Sequence, residues 1–202
     1  MNKIGKLESA TQSRVIQLFQ DELGYTYLGN WEEEVRTQPI EEGLLLKYLT
    51  KYNKYSNALA QKAVDEIVKA STNLSDDLYE ANKEVYKLLR YGVTVREELG
   101  QPKETVWLID WKNPAKNDFA VAEEVTLAGK NSKRPDVVLF VNGIAVGVIE
   151  LKRSKVAVEE GIRQNLDNQK PEFTQKYFTT MQLVMAGNDT QGLRYGTIET
   201  SQ

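Results

Sequence analysis

Residues 134–152 read Arg-Pro-Asp-Val-Val-Leu-Phe-Val-Asn-Gly-Ile-Ala-Val-Gly-Val-Ile-Glu-Leu-Lys. Asn-Gly between two strand-forming runs is the strongest short-range signal for a β-hairpin. Strands are therefore predicted over 134–141 and 144–151. Both runs are apolar at nearly every position, so both faces of the hairpin should be covered, as in the interior of a sheet packed on two sides. One strand nevertheless opens with Asp136, and the other ends with Glu150 and Lys152. Ionised groups at the ends of buried strands are costly unless they are paired or hold a metal.

Whether these groups converge depends on register. The two-residue period of a strand puts Glu150 and Lys152 on one face. A two-residue loop at Asn142-Gly143 would pair position 136 with 149 and send Asp136 and Glu150 to opposite faces. A three-residue loop over 141–143, with Gly143 left-handed in a bulge, would pair 136 with 148. Asp136 would then lie diagonal to Glu150, about 7–8 Å away between α-carbons. Convergence on one cation thus predicts a bulged turn, or a bulge elsewhere in this pair.

The chain contains no His and no Cys. Ser-His-Asp and Cys-His catalysis are excluded, as are imidazole and thiolate zinc sites. Oxygen ligands suit a hard cation, Mg²⁺ or Mn²⁺. Such a cation held by Asp136, Glu150 and the backbone carbonyl of Leu151 could polarise a phosphate and activate water. Lys152 could hold or deprotonate that water, or neutralise the transition state. The formal charge of −3 is unlike that of a protein that grips DNA unaided. The charge is uneven, however. Lys130, Lys133, Arg134, Lys152, Arg153 and Lys155 cluster around Asp136 and Glu150. This rim suits a phosphate-bearing substrate; the alternative is a solvated surface, with Glu150 and Lys152 an ordinary same-face ion pair.

The first part of the chain, 1–91, reads as helical. A helix over 7–23 would place Val15, Leu18, Phe19 and Leu23 on one side and stop at Gly24. Pro39 suits the first turn of a second helix that carries Leu44, Leu45, Tyr48 and Leu49. Ser56 and Ser75 are candidate caps for a third and a fourth, the latter ending at Gly92. In 92–202 the period changes to strands, expected over 93–95, 105–109, 119–127, 181–186 and 193–198 besides the hairpin, with a helix over 158–166. Helices before and between strands indicate an α/β fold. Trp107, Trp111 and the tyrosine-rich helix faces are expected in the core. No run has the length of a signal peptide or a membrane span, so a cytoplasmic location is the default.

Pro135-Asp136 followed by Glu150-Leu151-Lys152 across a hairpin resembles the motif of the PD-(D/E)xK nucleases. The matching stretches 108–114, 117–119, 136–152, 188–190 and 194–196 widen the likeness to the N-terminal part of type I restriction enzyme R subunits. The resemblance implies a restriction-endonuclease-like mixed sheet flanked by helices, with an N-terminal helical region that packs on the nuclease core. Asp136, Glu150 and Lys152 would be the catalytic triad of a Mg²⁺-dependent endonuclease acting on double-stranded DNA. Members carry Gln-x-x-x-Tyr on the next helix; Gln164 matches the Gln and could orient Lys152 or a phosphate, whereas Asn168 stands where the Tyr would be. Both could equally be exposed helical amides. An extra acid from the first helix would be Glu8, which otherwise only favours the helix dipole. The chain has no Gly-x-x-x-x-Gly-Lys-Ser/Thr loop. ATP would therefore belong to a motor elsewhere in a longer subunit, and DNA sequence recognition to modification and specificity subunits. Two other readings are a non-catalytic DNA-docking module of the same fold and a stand-alone repair nuclease.

Overall fold

The structure is a computed structural model that describes residues 3–74 and 77–198, with side chains from residue 9 onward. Its centre is a mixed six-stranded sheet in the order β1 (Thr26–Asn30), β4 (Phe119–Glu123), β5 (Val137–Val141), β6 (Ile144–Leu151), β7 (Leu183–Asn188) and β8 (Gly192–Gly196). β1 runs parallel to β4, and β7 runs parallel to β6; the other neighbours are antiparallel. A separate two-stranded ribbon joins β2 (Val93–Val95) and β3 (Glu104–Val106). The α/β architecture, with a mixed sheet flanked by helices, is the one expected from the sequence.

Helices cover both faces. α1 (Lys3–Gln17) lays Ile16 on Val121, Val137, Leu139, Ile149 and Leu151, the odd-numbered positions of the central strands. The even-numbered positions Val138, Phe140 and Val148 face Tyr177, Phe178 and Met181 on the other side. Those residues belong to a 3₁₀ segment, Gln175–Thr180, and its flank. α2 (Glu42–Lys47), α3 (Asn57–Thr72) and α4 (Leu78–Tyr91) build a second core with the turn end of the hairpin, through Leu45, Val64, Val85 and Ile144. α4 is tied to the 3₁₀ segment by the buried Asn82, whose Nδ2 donates to the carbonyls of Thr179 at 3.0 Å and Met181 at 2.8 Å.

Several local expectations change. α1 relaxes into a π-helical turn over Leu18–Glu22, and the five-residue step rotates Leu18 and Leu23 out to solvent. Pro39 lies before α2, outside the helix, and its carbonyl accepts from Ala145 N. Ser56 caps α3 as expected, accepting from Leu59 N at 3.1 Å. Ser75 lies outside the described residues; Asp77 caps α4. The strand expected over 105–109 stops at Val106, and the one expected over 119–127 stops at Glu123 because Glu124 takes a φ of 51°. Trp107 and Trp111 are half-exposed, and so are Tyr86 and Tyr91, so these aromatics are not core. β1 carries a Gly and no strong alternation, and the sequence reading missed it.

Candidate active site

The hairpin between β5 and β6 turns through two residues, Asn142 at φ 53° and Gly143 at φ 85°. Positive φ at both central positions is what a type I′ turn requires. Asn142 is locked there: its Nδ2 donates to Leu108 O at 2.8 Å and Asn117 Oδ1 at 2.9 Å, and its Oδ1 accepts from Asp118 N at 2.7 Å. The three-residue bulged turn is therefore not formed. The bulge lies farther along. Val141 pairs with Ile144 and Phe140 with Ala145, but Leu139 pairs with Gly147, leaving Val146 as an extra residue in β6. Val137 then pairs with Ile149, and one step further puts Asp136 across from Glu150. The bulge thus turns both carboxylates to the same face, in direct opposition rather than on a diagonal.

The bulge is held from outside the hairpin. Ala145 N donates to Pro39 O at 2.9 Å, Gln182 N donates to Val146 O at 2.8 Å, and Thr180 Oγ1 donates to Ala145 O at 2.6 Å. Backbone groups that a regular ladder would have used are satisfied by two distant segments.

Asp136 is half-buried, and its Oδ2 accepts from Leu151 N at 2.6 Å. Glu150 is completely buried, and among the described residues neither of its oxygens has a hydrogen-bond donor. Burial pushes its carboxyl up to about 8, the Asp136 charge pushes in the same direction, and Lys152 opposes both. Lys152 Nζ stands 3.7 Å from Glu150 Oε2, too far for a hydrogen bond, and donates to Gln164 Oε1 at 2.7 Å. A buried carboxylate without donors is the kind of group a cation would satisfy. The oxygen donors present are the two carboxylates and the carbonyl of Leu151, and among the described residues no cluster of three acidic side chains adds to them. The residues therefore fit a hard divalent ion that keeps several waters.

α5 (Val158–Asn168) closes the site from above. Gly161 makes the approach possible: a β-carbon there would stand 3.0 Å from Ala186 Cβ, 3.5 Å from Lys152 Cγ and 3.6 Å from Glu150 Cβ. Gly161→Val is expected to lift α5, separate Gln164 from Lys152 and lower DNA cleavage at least about tenfold, together with a lower melting temperature. Cleavage assays and thermal melts on the same preparation check this, and unchanged cleavage would show that the approach of α5 does not matter. A helical Gly three residues before Gln164 was the available signal for this contact.

Gln164 is half-buried, whereas Asn168 is fully buried, with neither amide atom hydrogen-bonded among the described residues. Asn168 is thus not an exposed helical amide. Its carbonyl accepts from Thr174 N and Thr174 Oγ1, both at 3.2 Å. The side chain of Glu8 lies outside the described residues, on the helix that packs against the face opposite Glu150. Asp110 closes a turn, its Oδ1 accepting from Lys112 N and Asn113 N.

The chain is similar to several known proteins. A putative type I restriction enzyme endonuclease subunit of Methanocaldococcus jannaschii, MjaVIIIP, is 29% identical over 154 residues, covering 71% of this chain and 14% of the relative. The HindI type I restriction enzyme endonuclease subunit of Haemophilus influenzae is 40% identical over 105 residues, 49% of this chain and 10% of the relative. The EcoprrI endonuclease subunit of Escherichia coli is 33% identical over 89 residues, 43% of this chain and 28% of the relative. The chain therefore spans only a small part of the length of these relatives. A family model described as type I restriction enzyme R protein N terminus matches residues 5–202, which include both carboxylates, Lys152 and Gln164, and the chain belongs to that family.

Proposed function

We propose that this chain is a metal-dependent endonuclease domain that hydrolyses phosphodiester bonds of double-stranded DNA. The observation that carries this reading is the buried, donor-less Glu150 opposed to Asp136 and flanked by Lys152. A docking module would gain nothing from burying an acid at such cost. Asp136, Glu150 and the Leu151 carbonyl would hold Mg²⁺ or Mn²⁺, which when bound would stabilise charge on the phosphate and acidify a water. Lys152 holds the attacking water or the phosphate oxygen, and Gln164 fixes the ammonium in place through its 2.7 Å hydrogen bond. α5 and the sheet exclude bulk solvent from Glu150, so the electrostatic interactions there act in a low-dielectric setting.

ATP-driven motion, and assembly with modification and specificity subunits, are assigned to the longer subunit of which this domain would be part. Location in the cytoplasm accompanies that assignment; among the described residues no helix is long and apolar enough to cross a membrane.

Titration with Mg²⁺ or Mn²⁺, followed by calorimetry, should reveal binding that Asp136→Ala removes from a still-folded chain. Absence of any binding by the unsubstituted chain would favour the docking module. In the full-length R subunit with its partners, Lys152→Ala is expected to lower DNA cleavage by about 100-fold or more while ATP hydrolysis continues. Cleavage at the parent rate would remove Lys152 from the mechanism.

A further inference from the structure

We infer that the cleft beside Lys152 holds the phosphodiester backbone of duplex DNA next to the cleaved bond, with Lys133 and Arg163 as its phosphate contacts; this rests on the nuclease reading above. The cleft has a volume of about 690 Å³, and its lining includes Lys133, Lys152, Arg153, Arg163, Glu160 and Asp167 together with Gln164. It is continuous with the catalytic groups through Lys152 and Gln164. Four cations face two acids; Asp167 pairs with Lys170 outside the cleft at 2.6 Å, and Glu160 pairs with Arg163 at 2.9 Å, so the lining keeps a net positive charge.

Lys133 is set in place before any ligand arrives. Its ammonium lies 4.1 Å from the centre of the Phe173 ring, and its backbone bridges to Leu127. The Asn131 side chain fastens the same loop to Glu172 O at 3.0 Å. Arg163 is mostly exposed, and its bond to Glu160 is an i,i+3 surface pair of little strength, readily exchanged for a phosphate. Arg134 of the sequence-predicted basic rim is different. It is engaged by Glu124 at 2.8 Å and by Glu32, and it does not line this cleft.

The test measures binding of a short fluorescent DNA duplex to the full chain in Ca²⁺ between about 50 and 200 mM salt. Lys133→Ala/Arg163→Ala should bind about tenfold more weakly, with the log-affinity against log-salt slope shallower by about 2, near 0.9 per lost phosphate contact. Lys133→Arg should retain the parent slope. Lys69→Ala, a charge removed from another surface, should change neither. Parent-like affinity and slope in the folded double variant, and in Arg163→Glu, would overturn the inference. Weakened binding by the cleft variants, alongside a full-length R subunit that never cleaves DNA with its partners, would keep the cleft as a DNA site and sink the nuclease reading. Cleavage by the parent, with unaltered binding in both cleft variants, would sink the cleft alone.

Discussion

Glu150→Gln is expected to stabilise the chain at pH 8 without metal and to abolish DNA cleavage in the presence of Mg²⁺. The Glu150 carboxyl is raised from an ordinary 4.5 to about 8, first by burial and then by the charge of Asp136. A carboxyl raised on folding binds its proton more tightly in the folded chain than in the unfolded one. Its contribution is therefore intact below about pH 4.5 and is lost as pH rises toward about 8. Moving a carboxyl from 4.5 to about 8 corresponds to a ceiling of about 5 kcal/mol. Glutamine keeps the shape without the charge, so the variant should match the parent near pH 5 and exceed it progressively above that. Adding Mg²⁺ should recover stability in the parent only. Thermal melts of both proteins from pH 5 to 8.5, with and without Mg²⁺, provide the check. A stability difference that does not vary with pH would mean that Glu150 is solvated or otherwise compensated.

Gly143→Ala is expected to cost about 2–5 kcal/mol. The left-handed conformation at φ 85° costs an L-residue about 1–2 kcal/mol. The added carbon would also stand 2.7 Å from Leu44 Cβ, 2.9 Å from Glu41 O and 2.9 Å from Leu45 N. Two of those atoms are backbone at the start of α2, so relief requires moving the helix, which adds roughly 1–3 kcal/mol. Glu41 N donates to Gly143 O at 2.8 Å, and that anchor would be disturbed as well. Denaturant unfolding measures the loss; a change below about 1 kcal/mol would show that α2 shifts freely. Because α2 and the Pro39 segment precede the bulge partners, a shift here should also lower cleavage more than the fold loss alone explains.

Asn142-Gly143 announced a hairpin, the apolar runs announced buried strands, and Glu150 and Lys152 were bound to one face by the two-residue period. Gln164 was indicated by the family likeness, whose Gln-x-x-x-Tyr element it matches on the next helix. The same likeness offered Lys152 or a phosphate as its partner; the 2.7 Å hydrogen bond to Lys152 depends on how closely α5 sits over β7. Asn168 looked like a surface amide on a polar helix with few apolar residues. It is buried because the Thr174 turn and the 3₁₀ segment fold over the end of α5. The half-exposed Trp107 and Trp111 show the converse: large apolar side chains in the irregular segment after β3 have no regular element to cover them.

Position 146 marks where local information stops. Nothing about Val146 favours a bulge over a regular ladder, and a regular ladder from this turn would set Asp136 and Glu150 on opposite faces. The amino-acid order alone determined the two hairpin strands, the turn between them and the oxygen and amine groups at their ends, since these follow from side-chain period, backbone preference and the absence of His and Cys. Only the tertiary structure decided the register, because the hydrogen-bond partners that stabilise the extra residue come from Pro39, Thr180 and Gln182, far away in the chain.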